Sequence, residues 1–462
     1  LTKSITNRRE FLRTAGVAAA GLPLVFSPFV QRRNYSCIII GAGLSGLAAA
    51  YALKDWNVTL LEARKRVGGR VFSFSFEENR ELVCELGGEW VGDSHDRMKA
   101  LCQDFKIPLK DHRFEAWLMQ DSVVKRPGQW DFSPQAKAAL EKFREVFKSN
   151  TYTDRDRIRL DQYDWWTWLR EIGFTEDDLL LRDLQDSTDF GETIRMMSAY
   201  AAAAEYFESS PANEMDFKME GGNSRLVSAL ASRIGNASIH TGMTVQRIVQ
   251  RGGKVTVTAG GRDFTADVCI CTVPARVLDK IVFDPPLPRV QSDAADKLQY
   301  ARIVKNQVLF NERFWGQDDF SMVTDVTSHY YFHSTKSQPG KQGILCSYAI
   351  GEKADVLAAQ SSRQRRDIIT RDLLPLNRRA PELAVNIQSM AWQRDIYTQG
   401  AYAFYRPGQW FTLRPILKRP HGKVLFAGEH LADWQGFMEG AVVTGEAAAH
   451  ALTGRIRNRR AA

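Results

Sequence analysis

Cysteine and histidine are scarce in this chain, and neither is grouped. Six cysteines (Cys37, Cys84, Cys102, Cys269, Cys271 and Cys346) are spread over 462 residues. They form no pairs of pairs with metal-ligand spacing and no dense disulfide pattern. Cys269 and Cys271 alternate along a strand-like run, which reads as packing. The eight histidines are scattered, so no metal is expected. The apolar stretch near the start, Thr14 to Phe26, falls short of the roughly twenty residues a membrane span needs, so no stable membrane span is expected. No repeat of solenoid period and no long low-complexity tract occurs. What remains is a globular chain, 44% hydrophobic, with enough apolar material for a large core and two or so domains.

Charge of one sign is only mildly in excess. The net charge is +8, but the basic residues are dispersed and both ends are Arg-rich, so no nucleic acid partner is expected. A positive overall field favours anionic or neutral substrates over polycationic ones, unless local charge at the site reverses it. Segment 1–33 contains Asn7-Arg8-Arg9-Glu10-Phe11-Leu12-Arg13 ahead of the Thr14 to Phe26 stretch. That is a twin-arginine pattern, and it predicts a periplasmic or exported protein using the route that carries folded, cofactor-loaded chains. No good cleavage site follows Ala18-Ala19-Ala20, so removal of the segment stays open.

The most informative motif is Gly41-Ala42-Gly43-Leu44-Ser45-Gly46. It follows the apolar run Cys37 to Ile40 and precedes the helix-like run Leu47 to Leu53. A second apolar run, Val58 to Leu61, ends in Glu62. Strand, glycine turn, helix, strand and an acid about twenty residues on is the dinucleotide-binding pattern. Gly41 permits the tight turn, Gly43 lets backbone approach a pyrophosphate, and Gly46 lets helix and strand pack. The helix start offers N–H groups and a positive dipole end to phosphate, and Glu62 can accept from a ribose diol.

Further glycine pairs follow. Gly68-Gly69-Arg70 suits a second approach to phosphate with a fork-like donor beside it. Gly87-Gly88-Glu89-Trp90 reads equally as backbone against a planar ring or as an ordinary turn. From about Asp93 to Phe217 the chain reads mainly helical, and its aromatic cluster Tyr163 to Trp168 favours core over substrate wall. Gly221-Gly222 leads into strand-like runs at Ser238 to His240, Val245 to Val249, Val255 to Thr258 and Val268 to Val273. Arg302 to Phe310 alternates as a strand. The chain closes with Val424 to His430, then Trp434-Gln435-Gly436-Phe437-Met438-Glu439-Gly440-Ala441 and an Ala-rich helix.

From about Tyr35 to Leu452 these ordered motifs resemble the flavin-containing amine oxidase family of monoamine, polyamine and L-amino-acid oxidases. The resemblance implies an α/β fold: an FAD-binding Rossmann-like domain (35–92, 217–283 and 420–455) with a second substrate domain of mixed sheet plus helices (93–216 and 284–419). It implies FAD held by Gly41, Gly43, Ser45 and Gly46 at the pyrophosphate. Glu62 and Arg64 would serve the adenosine, and Gly69 and Arg70 the phosphate and flavin side. Val245 would meet the adenine, and Gly428, Glu429 and Met438 would lie along the ribityl chain and ring, with Gly87, Gly88, Glu89 and Trp90 beside the ring. It assigns catalytic positions to Lys305, which would hold a water near the flavin, and to Tyr402 and Phe437, the facing aromatics, with Trp434 beside them. The plainer alternatives are a solvated strand lysine and two more core aromatics.

Two departures matter. Ala401 stands where mammalian-type monoamine oxidases carry the flavin-linking cysteine, which predicts non-covalent FAD. Trp90 stands near where many L-amino-acid oxidases place a carboxylate-binding arginine, and Arg406 is a substitute by sequence proximity only. The implied partners are a small-molecule amine or amino acid and O2, and a homo-oligomer stays open. The expected activity is oxidation of an amine C–N bond to an imine with O2 reduced to H2O2. The alternatives are an L-amino-acid oxidase, a dehydrogenase on the same fold and a non-enzymatic FAD-fold binding protein.

Overall fold

Five short strands lie parallel in one sheet, in the order Val424–Phe426, Val268–Cys271, Ser36–Ile40, Asn57–Glu62 and Ile239–Thr241. They come from the beginning, middle and end of the chain, and the Rossmann-like unit is assembled from all three. The computed structural model describes residues 35–235, 238–433 and 435–461. The twin-arginine segment and Trp434 therefore lie outside the described residues.

The run Cys37 to Ile40 is apolar without a break because both faces of its strand are covered, as parallel strands require. Ile39 and Leu60 face a layer of helices: Leu44–Ala52, Ser224–Ile234 and Met438–Ala461. The helix Asp96–Asp104 joins this layer through Met98, Leu101 and Cys102. Ile38, Ile40 and Leu61 face the opposite way, toward the core shared with Val245, Ile248, Val255 and Val257. Those residues belong to a second sheet of four strands, Arg262–Ala266, Lys254–Ala259, Val245–Arg251 and Val282–Asp284. Cys269 and Cys271 are fully buried in the same core and unpaired, and burial pushes the Cys271 thiol up to about 12.

A seven-stranded sheet forms the other half, in the order Ala384–Ala391, Ile303–Phe310, Gly343–Ile350, Tyr330–His333, Phe320–Thr324, Glu115–Gln120 and Val123–Lys125. Residues Ile303–Phe310 hold three consecutive polar residues, Lys305, Asn306 and Gln307, between apolar ones, and every one is buried. The polar face is turned inward: Gln307 donates to the Glu85 carbonyl at 2.8 Å, and Lys305 reaches the same segment. Five helices, Pro134–Lys148, Asp154–Leu160, Trp165–Glu171, Glu176–Phe190 and Ala199–Glu208, pack beside this sheet. Ser133, Thr153, Asp164, Thr175 and Ser198 cap them, each accepting a first-turn backbone N–H. Trp165 and Trp166 are buried among these helices as core.

The expectation of mainly helix from 93 to 217 fails over 109–125. There the chain forms Leu109–Asp111 and the hairpin Glu115–Gln120/Val123–Lys125. Asp121 and Ser122 both have positive φ, the two-residue turn that matches strand twist. The hairpin docks on Phe320–Thr324, far away in sequence. Among the described residues, no helix is long and apolar enough to cross a membrane.

Candidate active site

One cavity of about 640 Å³ runs between the two halves. Its first stretch is the glycine cradle. Gly41, at φ +99°, makes the turn out of the first strand. The helix that follows starts at Leu44 with no side chain capping it, so its first N–H groups are open to an anion. The Ser45 hydroxyl there is buried without a hydrogen-bond partner. A Cβ on Gly43 would meet nothing nearer than the Gly69 Cα at 4.0 Å. The glycine turns at 41–46 and 68–69 therefore stack on each other and leave bare backbone on the wall. The chain's last helix closes over the first at Gly445, where a Cβ would fall 2.1 Å from the Ser45 carbonyl. An uncapped helix start, an orphaned hydroxyl and a backbone cradle fit a dinucleotide pyrophosphate.

Glu62 lies on the wall of the same stretch, at the end of the strand Asn57–Glu62. Its carboxylate accepts the Ala42 and Arg64 backbone N–H groups, both at 2.8 Å, one on each oxygen. Each oxygen keeps lone-pair capacity for a ribose hydroxyl. Arg64 is tied to Asp395 and stacks on Tyr397. Gly69, Arg70, Gly87, Gly88, Val245, Gly428, Glu429 and Met438 line the same cavity. Arg70 is already engaged: it donates to the Ala401 carbonyl and, at 2.8 Å, to Glu429. Glu429 also accepts from Gly436 at 2.9 Å. This pair ties the first glycine region to the chain's last third. Gly46 is off the wall: a Cβ there would fall 1.9 Å from the Gly41 carbonyl, so it serves helix–strand packing.

Lys305 projects from Ile303–Phe310, the second strand in the order of the larger sheet, into the cavity wall. It is 3% exposed, far from a solvated strand lysine. Its Nζ donates to the Gly87 carbonyl at 3.0 Å and to Glu89 Oε2 at 2.5 Å. Two of its three N–H donors are thus used, and the third can hold a water. Glu89 Oε1 accepts from Lys218 Nζ and His112 Nε2, both at 3.1 Å. Burial penalises the Glu89 charge, but Lys218, Lys305 and His112 together outweigh it and hold the carboxyl well below the usual range. Burial pushes Glu85, 3.9 Å from Lys218, up to about 7, and Glu89 adds to the shift. Burial also lowers His112 to about 4, so it donates to Glu89 as a neutral ring. Sequence reasoning placed Glu89 on the wall but missed Glu85, four residues before it, and Lys218 and His112, which lie on separate segments.

Beyond Lys305 the cavity opens into a chamber walled by Trp90, Tyr330, Tyr348, Tyr402 and Phe437. Tyr402 is fixed at its hydroxyl, which donates to the Asp189 carbonyl at 2.7 Å and sits 3.1 Å from the Tyr348 hydroxyl. Its ring lies against Gly436, where a Cβ would come within 3.5 Å. Phe437 meets His95 edge-on with centroids 5.1 Å apart. Trp90 packs on Phe332 at 5.0 Å and donates to the His112 carbonyl. Arg406 is exposed and absent from the wall, so adjacency in sequence did not bring it to the site. Asp189, Glu205 and Asn213 line the chamber instead and carried no motif to mark them.

Comparison with known proteins agrees with this geometry. The L-amino acid dehydrogenase of Synechocystis sp. is 24% identical over 455 residues, covering 91% of this chain and 95% of its own length. The L-amino-acid oxidase BmooLAAO-I of Bothrops moojeni is 26% identical over 485 residues, covering 96% and 92%. Among solved structures, cyclohexylamine oxidase from Brevibacterium oxydans IH-35A matches with a TM-score of 0.80 at 22% identity, over 92% of this chain and 100% of that one. Putrescine oxidase bound to putrescine matches at 0.78 and 22%, over 91% and 99%. At such identity these two speak for the fold. The model of the flavin-containing amine oxidoreductases matches residues 44–453, and the chain belongs to that family.

Proposed function

We propose that this chain is an FAD-dependent oxidase acting on the C–N bond of an amine. One amine, one dioxygen and one water give one carbonyl compound, one ammonia and one hydrogen peroxide, through an imine that hydrolyses. The observation that carries the reading is one cavity joining the glycine cradle to an aromatic chamber, with Lys305 at the junction. When bound, FAD supplies the two-electron acceptor and the path by which those electrons reach dioxygen. Ser45, the helix start at Leu44 and the stacked glycine turns would hold its pyrophosphate, and Glu62 its ribose.

The chain's own residues do the rest. Tyr402 and Phe437 align the amine and exclude water. A desolvated aromatic chamber lowers an amine pKa and favours the neutral form that can be oxidised. Lys305, anchored by Glu89, holds a water for imine hydrolysis or supplies a proton during reoxidation. Ala401 at the cysteine position, and no cysteine among the described wall residues, support non-covalent FAD. Arg8-Arg9 supports export by the twin-arginine route, which fractionation of cells expressing an Arg8→Lys, Arg9→Lys variant would test.

A second reading, oxidation of an L-amino acid to a 2-oxo acid, is favoured by the names of the curated relatives. Peroxide assays on phenylethylamine, a polyamine and phenylalanine separate the two. Dye reduction without peroxide would mark a dehydrogenase. A yellow holoenzyme that oxidises none of these with either acceptor would remove both readings.

A further inference from the structure

The substrate end of the cavity is acidic. Asp189, on the helix Glu176–Phe190, and Glu205, on the helix Ala199–Glu208, both line it. Asp189 Oδ2 accepts from the Tyr206 hydroxyl at 2.7 Å and from Asn213 Nδ2 at 3.0 Å. Both neutral donors use the same oxygen. Asn213 Oδ1 is a buried acceptor with no donor. Arg182, the basic group whose charge acts on Asp189, is committed to Asp186 at 2.8 Å and stacked on Phe132 and Tyr206, outside the wall. The basic residues on the described wall are Arg64, Arg70, Lys280 and Lys305. Arg64 and Arg70 are paired with Asp395 and Glu429, and Lys305 with Glu89. The Asn213 Oδ1 acceptor and the Asp189 carboxyl, on the cavity wall, suit a ligand that brings N–H donors and positive charge.

We propose that the substrate carries a second cationic group, an ammonium or guanidinium remote from the amine that is oxidised, and that Asp189 binds it with Glu205 and Asn213 beside it. This rests on the amine-oxidation reading and names its substrate class. The overall charge of +8 points the other way, toward neutral or anionic substrates. That field is screened over about 8 Å in physiological salt, whereas a buried carboxylate is screened far less. Burial, aided by Asp186, raises the Asp189 carboxyl to about 7, and an arriving cation would favour its charged form. The backbone carbonyl of Asp189 holds the Tyr402 hydroxyl, so the acid sits one residue contact from the aromatic that aligns the reacting amine. A diamine and a basic amino acid share this chemistry.

The test uses the full-length holoenzyme and matched pairs: cadaverine against pentylamine, and L-lysine against L-norleucine. The charged tail should raise kcat/KM by at least about tenfold in whichever pair is turned over, as expected for a desolvated charge pair. Turnover of the diamine pair or of the amino-acid pair identifies the source of the tail. Asp189→Asn should cut that preference about tenfold or more, through KM for the charged member rather than through kcat. Equal or better turnover of the neutral-tailed members by the unaltered enzyme overturns the inference and leaves amine oxidation standing. If Asp189→Asn fails to fold, Glu205→Gln and the unaltered pairs still decide. A flavin-loaded enzyme that oxidises none of the four removes the underlying reading.

Discussion

Replacing Glu89 by Gln removes the carboxylate that touches Lys305, Lys218 and His112 at once. Gln has the same shape but only one acceptor oxygen. Whichever way its amide is turned, an NH2 group faces a donor: Lys305 on one side, Lys218 and His112 on the other. Two ammoniums, 3% and 6% exposed, then lose their shared counter-charge. Breaking a buried pair from one side costs about 3–5 kcal/mol. Glu85→Gln provides the control. Glu85 is equally buried and near the same lysine, but burial raises it to about 7, so near neutral pH it is already partly protonated. Its partners, the Asn223 N–H and the Ser73 hydroxyl, can be satisfied by an amide.

The two carboxyls also carry opposite pH dependence. Glu89, held below its ordinary 4.5, contributes stability that is complete above that value and lost as pH falls through the folded pKa. Glu85, raised to about 7, contributes a cost that appears as pH rises from 4.5 through 7. Thermal unfolding followed by circular dichroism at pH 6, 7 and 8.5 reads both. A kilocalorie moves Tm by about 2–4 °C in domains half this size, so Glu89→Gln should melt several degrees low throughout. Glu85→Gln should gain on the unaltered protein as pH rises from 6 to 8.5. Equal stability of Glu89→Gln and the unaltered chain, or greater damage from Glu85→Gln, would refute the charge assignment.

Other substitutions test the cradle and the junction. Gly46→Ala would place a Cβ 1.9 Å from the Gly41 carbonyl and should cost about 3 kcal/mol or more of stability, visible in the melt. Gly43→Ala meets nothing closer than 4.0 Å. It should fold normally yet bind FAD at least about tenfold more weakly, since the methyl group occupies the backbone approach; fluorescence quenching titration reads this. Glu62→Gln loses one of two backbone bonds at 2.8 Å and should weaken FAD by about tenfold or more, again by titration. Lys305→Met leaves Glu89 paired with Lys218 and His112. It should slow reoxidation of the reduced flavin or imine hydrolysis by about 100-fold, the low end for a positioned proton donor, in stopped-flow measurements.

Local signals were legible and non-local ones were not. The cradle could be read because the Gly41 to Glu62 unit is a contiguous code in which each glycine has a steric task. Three strands between Val245 and Cys271 were placed within a few residues from their β-branched and apolar runs, whereas the more polar Arg262–Ala266 was not read as a strand. The hairpin at 115–125 was missed because its partner, Phe320–Thr324, is supplied from elsewhere in the chain. The inward-facing polar residues of Ile303–Phe310 gave no sign of burial, since their partners stand on the segment around Glu85 to Glu89. Asp186 and Asp189, three apart on one helix, look like surface acids until the fold turns that helix toward the cavity. Arg406 erred the other way: it stands close to Tyr402 in sequence, yet the backbone points it to solvent.

The central claim is that both ends of the chain close over FAD without a covalent bond. Acid precipitation of the purified full-length protein, followed by absorbance of pellet and supernatant, tests it most directly. The account predicts a yellow protein whose colour passes wholly into the supernatant as FAD. A colourless protein that takes up no added FAD, or a pellet that keeps the flavin, would contradict it.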